Sequence, residues 1–179
     1  MFDNIYKGKK VFITGNTGFK GSWLALWLLS QGANVVGYSK DIPTHPSHHK
    51  ILALDYETIS SDVLDLERLR ESITSFKPDI VFHLAAQSIV RKSYLNPVET
   101  FETNVIGTAN VFEACRSIES VRAIVNVTSD KCYENREWTW GYRENDRLGG
   151  HDPYSASKGC SELVTTCYQR SFFCSASTR

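Results

Sequence analysis

The 179-residue sequence predicts an α/β fold built on a doubly wound parallel sheet. Three observations carry this reading. Five short apolar runs alternate with segments of helical periodicity. The first run, Val11–Phe12–Ile13, leads through a glycine-rich turn straight into a helical pattern. A second strand then closes a βαβ unit within about thirty residues, the size of a nucleotide-binding half.

The first strand, Lys10–Thr14, has a continuous apolar centre, as expected where both faces of a parallel sheet are covered. Gly15, Gly18 and Gly21 follow with the spacing G-x-x-G-x-x-G. Glycines there permit a tight turn, a close approach of backbone to a pyrophosphate and tight helix–strand packing. The helix that follows, Phe19–Gln31, carries Phe19, Trp23, Leu26 and Trp27 at i, i+4, i+7, i+8 and ends at Gly32. Its N-terminus presents free N–H groups and a positive dipole end to an anion, and Lys20 adds a cation. The dinucleotide-facing candidates are therefore Gly15, Thr17, Gly18, Phe19, Lys20 and Gly21.

The second strand is Asn34–Tyr38. At its tip Asp41 could hold ribose hydroxyls, while Lys40 could equally meet a 2′-phosphate, so NAD and NADP both stay open here. Asp41–Lys50, with two prolines and three histidines, reads as an irregular exposed loop rather than a metal site. Thr58–Asp62 is the third strand, and Asp65 caps a helix patterned by Leu66, Leu69, Ile73 and Phe76. That leaves Asp62 and Val63 for the adenine edge of a cofactor. Asp79–His83 is the fourth strand, and the small residues after it, Leu84, Ala85 and Ala86, let a cofactor lie against backbone. A long helix follows, marked by Val98, Phe101, Val105, Ala109 and Phe112. Asn104 inside it is expected to be solvated or bonded back to the helix, the alternative being that it holds backbone near a site. Val121–Val127 is the fifth strand, and the expected strand order is 3-2-1-4-5.

Twenty basic and twenty acidic side chains cancel, which gives no footprint for a nucleic-acid partner. No apolar run reaches the length of a membrane span, and residues 1–10 lack the apolar core of a signal peptide. The five cysteines include no C-x-x-C, so a reducing, cytoplasmic setting is the simplest reading. Cys160, Cys167 and Cys174 sit seven apart, a packing pattern rather than a metal set, and no metal is expected.

Chemistry concentrates at two places. Thr128–Ser129–Asp130–Lys131–Cys132–Tyr133 follows the fifth strand, where ligands bind in open α/β sheets. Pro153–Lys158 opens the last helix and places Tyr154 and Lys158 at i and i+4 on one face. An ammonium beside a phenol favours phenolate, which can take a proton from a substrate hydroxyl while hydride leaves the same carbon. Ser129 can orient that hydroxyl.

The glycine turn, His83–Gln87, Ser129 and the Tyr154/Lys158 pair together resemble the extended short-chain dehydrogenase/reductase family. The stretches Thr14–Leu24 and Ser129–Asp146 resemble, within it, the nucleotide-sugar 4,6-dehydratases acting on CDP-glucose. The resemblance covers roughly residues 1–173 and implies a Rossmann-like domain, bound NAD, a CDP-glucose substrate and a homo-oligomer formed through helices after strands four and five. It further implies that Tyr154, Lys158 and Ser129 act at the sugar 4-hydroxyl, Lys131 as base at C5 and Asp130 as acid at the 6-hydroxyl. Related dTDP-sugar dehydratases carry a glutamate where Lys131 stands. A lysine is a poor base near neutral pH unless burial or a nearby cation helps it lose its proton.

Glu134–Gly150, with Trp138, Trp140 and Tyr142, is a long excursion that either covers the sugar site or pins itself by aromatic packing. Family members continue with further strands and a small C-terminal substrate domain. The expected organisation is thus an NAD-binding, catalytic unit over 1–173, truncated before that domain, and an atypical tail over 174–179. The fifth strand would then form an exposed edge. A non-catalytic NAD-binding fragment and another nucleotide-sugar epimerase or reductase are the alternative readings.

Overall fold

The computed structural model describes residues 2–173; Cys174 and the tail 174–179 lie outside them. Five parallel strands, β1 (Lys10–Thr14), β2 (Asn34–Ser39), β3 (Glu57–Ser60), β4 (Ile80–His83) and β5 (Ala123–Asn126), stand in the order β3-β2-β1-β4-β5. Phe12 is in register with Val36 on one side and Val81 on the other. The side-chain alternation of β1 explains its unbroken apolar run. Phe12 packs into one core with Val36, Leu69, Ile73, Val81 and Val111, under α3 (Leu66–Phe76) and α6 (Gly107–Cys115). Val11 and Ile13 point the other way, onto Ala25 and Leu28 of α1 (Phe19–Ser30).

The expected punctuation is in place where local chemistry dictates it. Gly32 follows α1 with φ +78°, the left-handed conformation that ends a helix. Asp65 caps α3 by accepting the Arg68 amide at 3.0 Å.

Several boundaries shift by a residue, and four differences have a local cause. The loop read over Asp41–Lys50 ends in a short helix, α2 (His48–Leu52), because the Ser47 side chain accepts the Lys50 amide and caps it. β3 stops at Ser60 instead of Asp62; the Asp62 carboxylate accepts the Leu64 amide and turns the chain toward α3. β5 starts at Ala123 because the Val121 amide closes a turn onto Ile118. The long helix is three pieces after α4 (Val90–Leu95): α5 (Pro97–Phe101), a π-helical turn (Glu102–Ile106) and α6. Asn104 lies within the π turn and is buried.

β5 is an edge of the sheet, with Val125 exposed. A cleft of about 350 Å³ lies beside it, lined by Phe112, Ile124 and Phe173 among others. On the last helix, α7 (Pro153–Tyr168), Tyr168 stacks on Phe112 with ring centres 5.5 Å apart. Among the described residues no helix is long and apolar enough to cross a membrane.

The glycine turn is close-packed at one position and open at another. A Cβ on Gly21 would run into the Gly15 carbonyl oxygen and come within 2.8 Å of the Asn16 Cα, both backbone. A Cβ on Gly18 would meet only the Gly15 oxygen, at 3.4 Å. Gly21→Ala is therefore expected to lower stability by about 1–3 kcal/mol, the usual cost of overpacking. Gly18→Ala should leave it near wild type, and urea denaturation of the two variants checks the contrast.

Candidate active site

The loops at the carboxyl ends of the strands build the site. Gly15 takes φ +75° and donates its amide to the Tyr38 carbonyl at 2.8 Å. A Cβ there would approach the Ala85 amide nitrogen to 2.6 Å, so glycine lets the turn lie directly against Leu84–Ala85. Thr14 Oγ1 accepts that Ala85 amide at 3.2 Å. The glycine turn and the half-buried segment Leu84–Ala86 are thus one surface.

Asn16 supports this turn from beneath. Its amide donates to the Tyr56 hydroxyl at 3.0 Å and Thr58 Oγ1 at 2.9 Å, and its Oδ1 accepts from Ser39 Oγ at 2.7 Å. It fills the space over Gly37, where any Cβ would overlap it. Thr17 donates its hydroxyl to the Asp41 carbonyl at 2.6 Å, which fastens the turn to the tip of β2. The α1 N-terminus has no side-chain cap and no acidic residue in its first turn, and Phe19 and Lys20 stand exposed there. An uncapped, acid-free helix start beside a cation fits an anionic diphosphate.

At the other end of the turn, Lys40 pairs with Asp62 at 2.9 Å. The hydrogen bond and the charge of Asp62 raise the Lys40 ammonium above its ordinary range. Two of the side chains that sequence left for a cofactor, Lys40 and Asp62, thus hold each other. Val63 is buried beneath Gly107, where a Cβ would reach its methyl at 2.7 Å.

Asn104 ties the segment after β4 to α7. Its Oδ1 accepts the Gln87 amide at 2.8 Å, and its amide donates to the Gln87 carbonyl at 3.0 Å and to Ser157 Oγ at 2.8 Å. It holds backbone near the site, the alternative reading of this residue, and is not solvated. His83, also buried, lies between Thr14 Oγ1 at 2.7 Å from Nδ1 and Thr108 Oγ1 at 3.1 Å from Nε2. Thr108 gives its own proton to the Asn104 carbonyl, so the pattern assigns Nε2–H to His83 and leaves Nδ1 accepting from Thr14. Burial first, and then the Lys158 charge, push the His83 imidazole down to about 3.

On α7, Asp152 accepts the Ser155 amide at 3.0 Å and the Ser155 hydroxyl at 2.5 Å, which starts the helix. Burial works against that carboxylate, but the Ser155 hydrogen bonds and the Lys131 charge hold it below its usual range. The Tyr154 amide donates to Ser93 Oγ of α4 at 3.2 Å. Tyr154 and Lys158 are both buried, one turn apart, and Lys158 Nζ donates to the Val127 carbonyl at 3.4 Å. Burial, with the Lys20 charge behind it and Glu162 opposing, lowers Lys158 to about 8. Glu162 is anchored in turn by the Thr128 hydroxyl.

Ser129 caps a 3-10 turn, Asp130–Cys132, accepting the Lys131 amide at 3.2 Å and donating to Asp130 Oδ1 at 3.0 Å. Gly159 leaves room for this turn on α7: a Cβ there would sit 3.2 Å from the Cys132 carbonyl oxygen. Asp130 and Lys131 are exposed rather than buried. Burial and the Glu162 charge push the Cys132 thiol up to about 11, which keeps it out of any nucleophilic role near neutrality. Among the described residues no group of three or more His, Cys, Asp or Glu is placed to hold a metal ion.

Asn16, Gly37, Ser93 and Glu162 were not singled out from sequence. Asn104 had a readable signal: Thr100, Asn104, Thr108 and Val111 recur at helical spacing and all are buried.

Comparison with known proteins places this geometry. The family model described as GDP-mannose 4,6 dehydratase matches residues 12–179. CDP-glucose 4,6-dehydratase of Salmonella typhimurium is 56% identical over 172 residues, covering 95% of this chain and 48% of that protein. CDP-paratose 2-epimerase of Salmonella typhi is 33% identical over 181 residues, covering 91% of this chain and 54% of that one. Among solved structures, the dTDP-glucose 4,6-dehydratase DesIV of Streptomyces venezuelae, with NAD and TYD bound, superposes with TM-score 0.80 at 27% identity, over 90% of this chain and 52% of that one. UDP-glucose 4-epimerase of Brucella ovis in complex with NAD superposes with TM-score 0.81 at 26% identity, over 93% of this chain and 49% of that one. The chain spans about half the length of the relatives it matches. With its parallel sheet, glycine turn and Tyr154–Lys158 pair, the chain belongs to the GDP-mannose 4,6 dehydratase family, within the extended short-chain dehydrogenases/reductases.

Proposed function

We propose that this site converts CDP-glucose to CDP-4-keto-6-deoxy-glucose with NAD, and that residues 1–173 form the cofactor-binding and catalytic unit. The observation that carries the reading is the buried Tyr154–Lys158 pair on α7 with the Ser129–Cys132 turn seated beside it. The identity of 56% to a CDP-glucose 4,6-dehydratase supports the substrate.

Tyr154, assisted by the Lys158 ammonium and oriented by Ser129, takes the proton of the sugar 4-hydroxyl. NAD, when bound, accepts the C4 hydride and later returns it to C6. The 4-ketone acidifies the C5 proton, which Lys131 removes; its side chain is exposed in this structure, so the burial that a lysine base needs comes with bound substrate. Asp130 protonates the departing 6-hydroxyl, water leaves, and Lys131 gives its proton back to C5 as the hydride returns to C6. Gly15, Gly18, Gly21 and Lys20 receive the cofactor diphosphate at the α1 N-terminus, with Leu84–Ala86 beneath it. The engagement of Lys40 by Asp62 favours NAD over NADP, because the cation that sequence placed at that tip for a 2′-phosphate is already paired. The exposed Val98, Ile106 and Leu163 support a homo-oligomer through these helices, and the free Cys115, Cys132, Cys160 and Cys167 support a cytoplasmic setting.

Incubating the purified protein with NAD and CDP-glucose should yield the keto-deoxy product. In the same assay Lys131→Ala should keep NAD binding and lose elimination; undiminished dehydration would remove Lys131 from the mechanism. Preference for a UDP or dTDP sugar would overturn the nucleotide assignment, and NAD binding without turnover of any sugar nucleotide would make the chain a non-catalytic module.

A further inference from the structure

Residues 134–148 leave the site and come back to it through a narrow neck. Tyr133 and Leu148 form an antiparallel bridge. The Glu134 amide donates to the Arg147 carbonyl at 2.9 Å, and the Gly149 amide donates to the Cys132 carbonyl at 2.8 Å. The neck therefore joins the Asp130–Cys132 turn directly to the approach of α7.

Inside the excursion one side chain gathers the rest. The Tyr142 ring stacks on Tyr133 with centres 5.2 Å apart and planes 8° from parallel, and lies 5.7 Å from Trp138. Its hydroxyl accepts the Arg136 amide at 3.0 Å and donates to Asn135 Oδ1 at 3.3 Å. The Arg136 guanidinium sits 5.5 Å over Trp138, and the Arg143 amide closes a second turn onto Asp146 at 2.7 Å. The segment is a compact surface loop packed by its own side chains. Past the neck, Gly150 presses against Ser155 so closely that a Cβ would strike it. One strut thus runs from Tyr142 through Tyr133 to Asp130 and Lys131, and another through Gly149 and Gly150 to the first turn of α7, where Tyr154 stands.

We propose that this loop is a clamp that sets the spacing between the Asp130–Lys131 pair and Tyr154, with Tyr142 as its positioning residue. The proposal rests on the roles given above to Asp130 and Lys131. Oxidation at C4 uses Tyr154, Lys158 and Ser129; elimination additionally needs an acid and a base held over C5 and C6. Small misplacements of a reacting group cost about 10²-fold, so a loosened clamp separates the two steps.

The test compares wild type, Tyr142→Phe and Tyr142→Ala. In Tyr142→Ala the amides of Cys132, Tyr133, Glu134 and Gly149 should exchange with deuterium about tenfold faster, while β1 and α1 keep their protection. Tyr142→Phe, which keeps the ring stack and loses the hydroxyl bonds, should fall between. With CDP-glucose, Tyr142→Ala should form reduced NAD at an undiminished rate yet release keto-deoxy product roughly 10²-fold more slowly. Unchanged exchange at those four amides overturns the clamp, whatever the activity. Oxidation and elimination falling together overturn its selectivity. If the wild-type protein turns over no CDP-glucose, the functional reading fails, and the exchange data still decide the clamp.

Discussion

Tyr154→Phe is expected to lower turnover of CDP-glucose by roughly 10²–10⁴-fold, the range for losing a general acid–base group. The substitution removes one oxygen from a ring that is 8% exposed and whose backbone amide is held by Ser93 Oγ. Packing and NAD affinity should therefore be retained, and isothermal titration with NAD checks that. The same experiment carries a pH signature. Lys158 is lowered to about 8 by burial and by the Lys20 charge. As pH rises through about 8 the ammonium that favours phenolate is lost, so the wild-type rate should fall on that limb. Folding responds in the opposite sense. The native pKa lies below the unfolded value, so the unfolded chain binds more protons between about 8 and 10.5, and this group makes the native state more stable as pH rises across that window. A rate that declines there without unfolding therefore reports chemistry. Wild-type turnover by Tyr154→Phe would exclude the phenol from the reaction.

Acid should unfold this protein through His83. The imidazole is fully buried, accepts at Nδ1 from Thr14 and donates at Nε2 to Thr108. A second proton would turn Nδ1 into a donor and leave the Thr14 hydroxyl proton without its acceptor. Its native pKa is pushed down from 6.5 to about 3. Below pH 6.5 the unfolded chain takes a proton that the native state refuses, so stability falls as pH falls, by about 1.4 kcal/mol per unit until about pH 3. Over that window the loss is on the order of 4 kcal/mol, a large share of the 5–15 kcal/mol typical of a domain. Guanidinium denaturation at pH 7 and pH 4.5 should show it, with a shallower pH dependence in His83→Gln. An imidazole assigned to His83 by NMR and titrating near 6.5 in the folded protein would refute the prediction.

What sequence made legible was what depends on neighbours in the chain. The apolar centre of β1, the glycine turn, the Asp65 cap and the Tyr154–Lys158 spacing are local patterns, and the strand order follows from their sequence. What stayed hidden depends on distant partners. Asn16 bonds residues 40 and 42 positions away, the Ser93 bond to Tyr154 spans 61, and Thr128 meets Glu162 across 34. Asn104 looked like a solvent-facing helix residue because Val98 and Phe101 were read as the buried stripe; both are exposed, and the polar line Thr100, Asn104 and Thr108 faces inward instead. Lys40 and Asp62, each weighed separately as a cofactor contact, follow the ends of adjacent strands whose register brings them together.

The seating of Asn16 over Gly37 has a consequence for re-engineering the protein. Attempts to change dinucleotide preference graft new residues onto the tip of the second strand. Here Gly37 lies two residues from that tip, and its missing side chain is the socket for the Asn16 amide that props the glycine turn. A graft that replaces Gly37 along with Ser39 and Lys40 would weaken affinity for both dinucleotides alike, and its failure would be misread as a wrong choice of ribose contact. Transplants that begin at Lys40 or later leave the prop standing, because Ser39 Oγ donates to the Asn16 side chain and belongs to it.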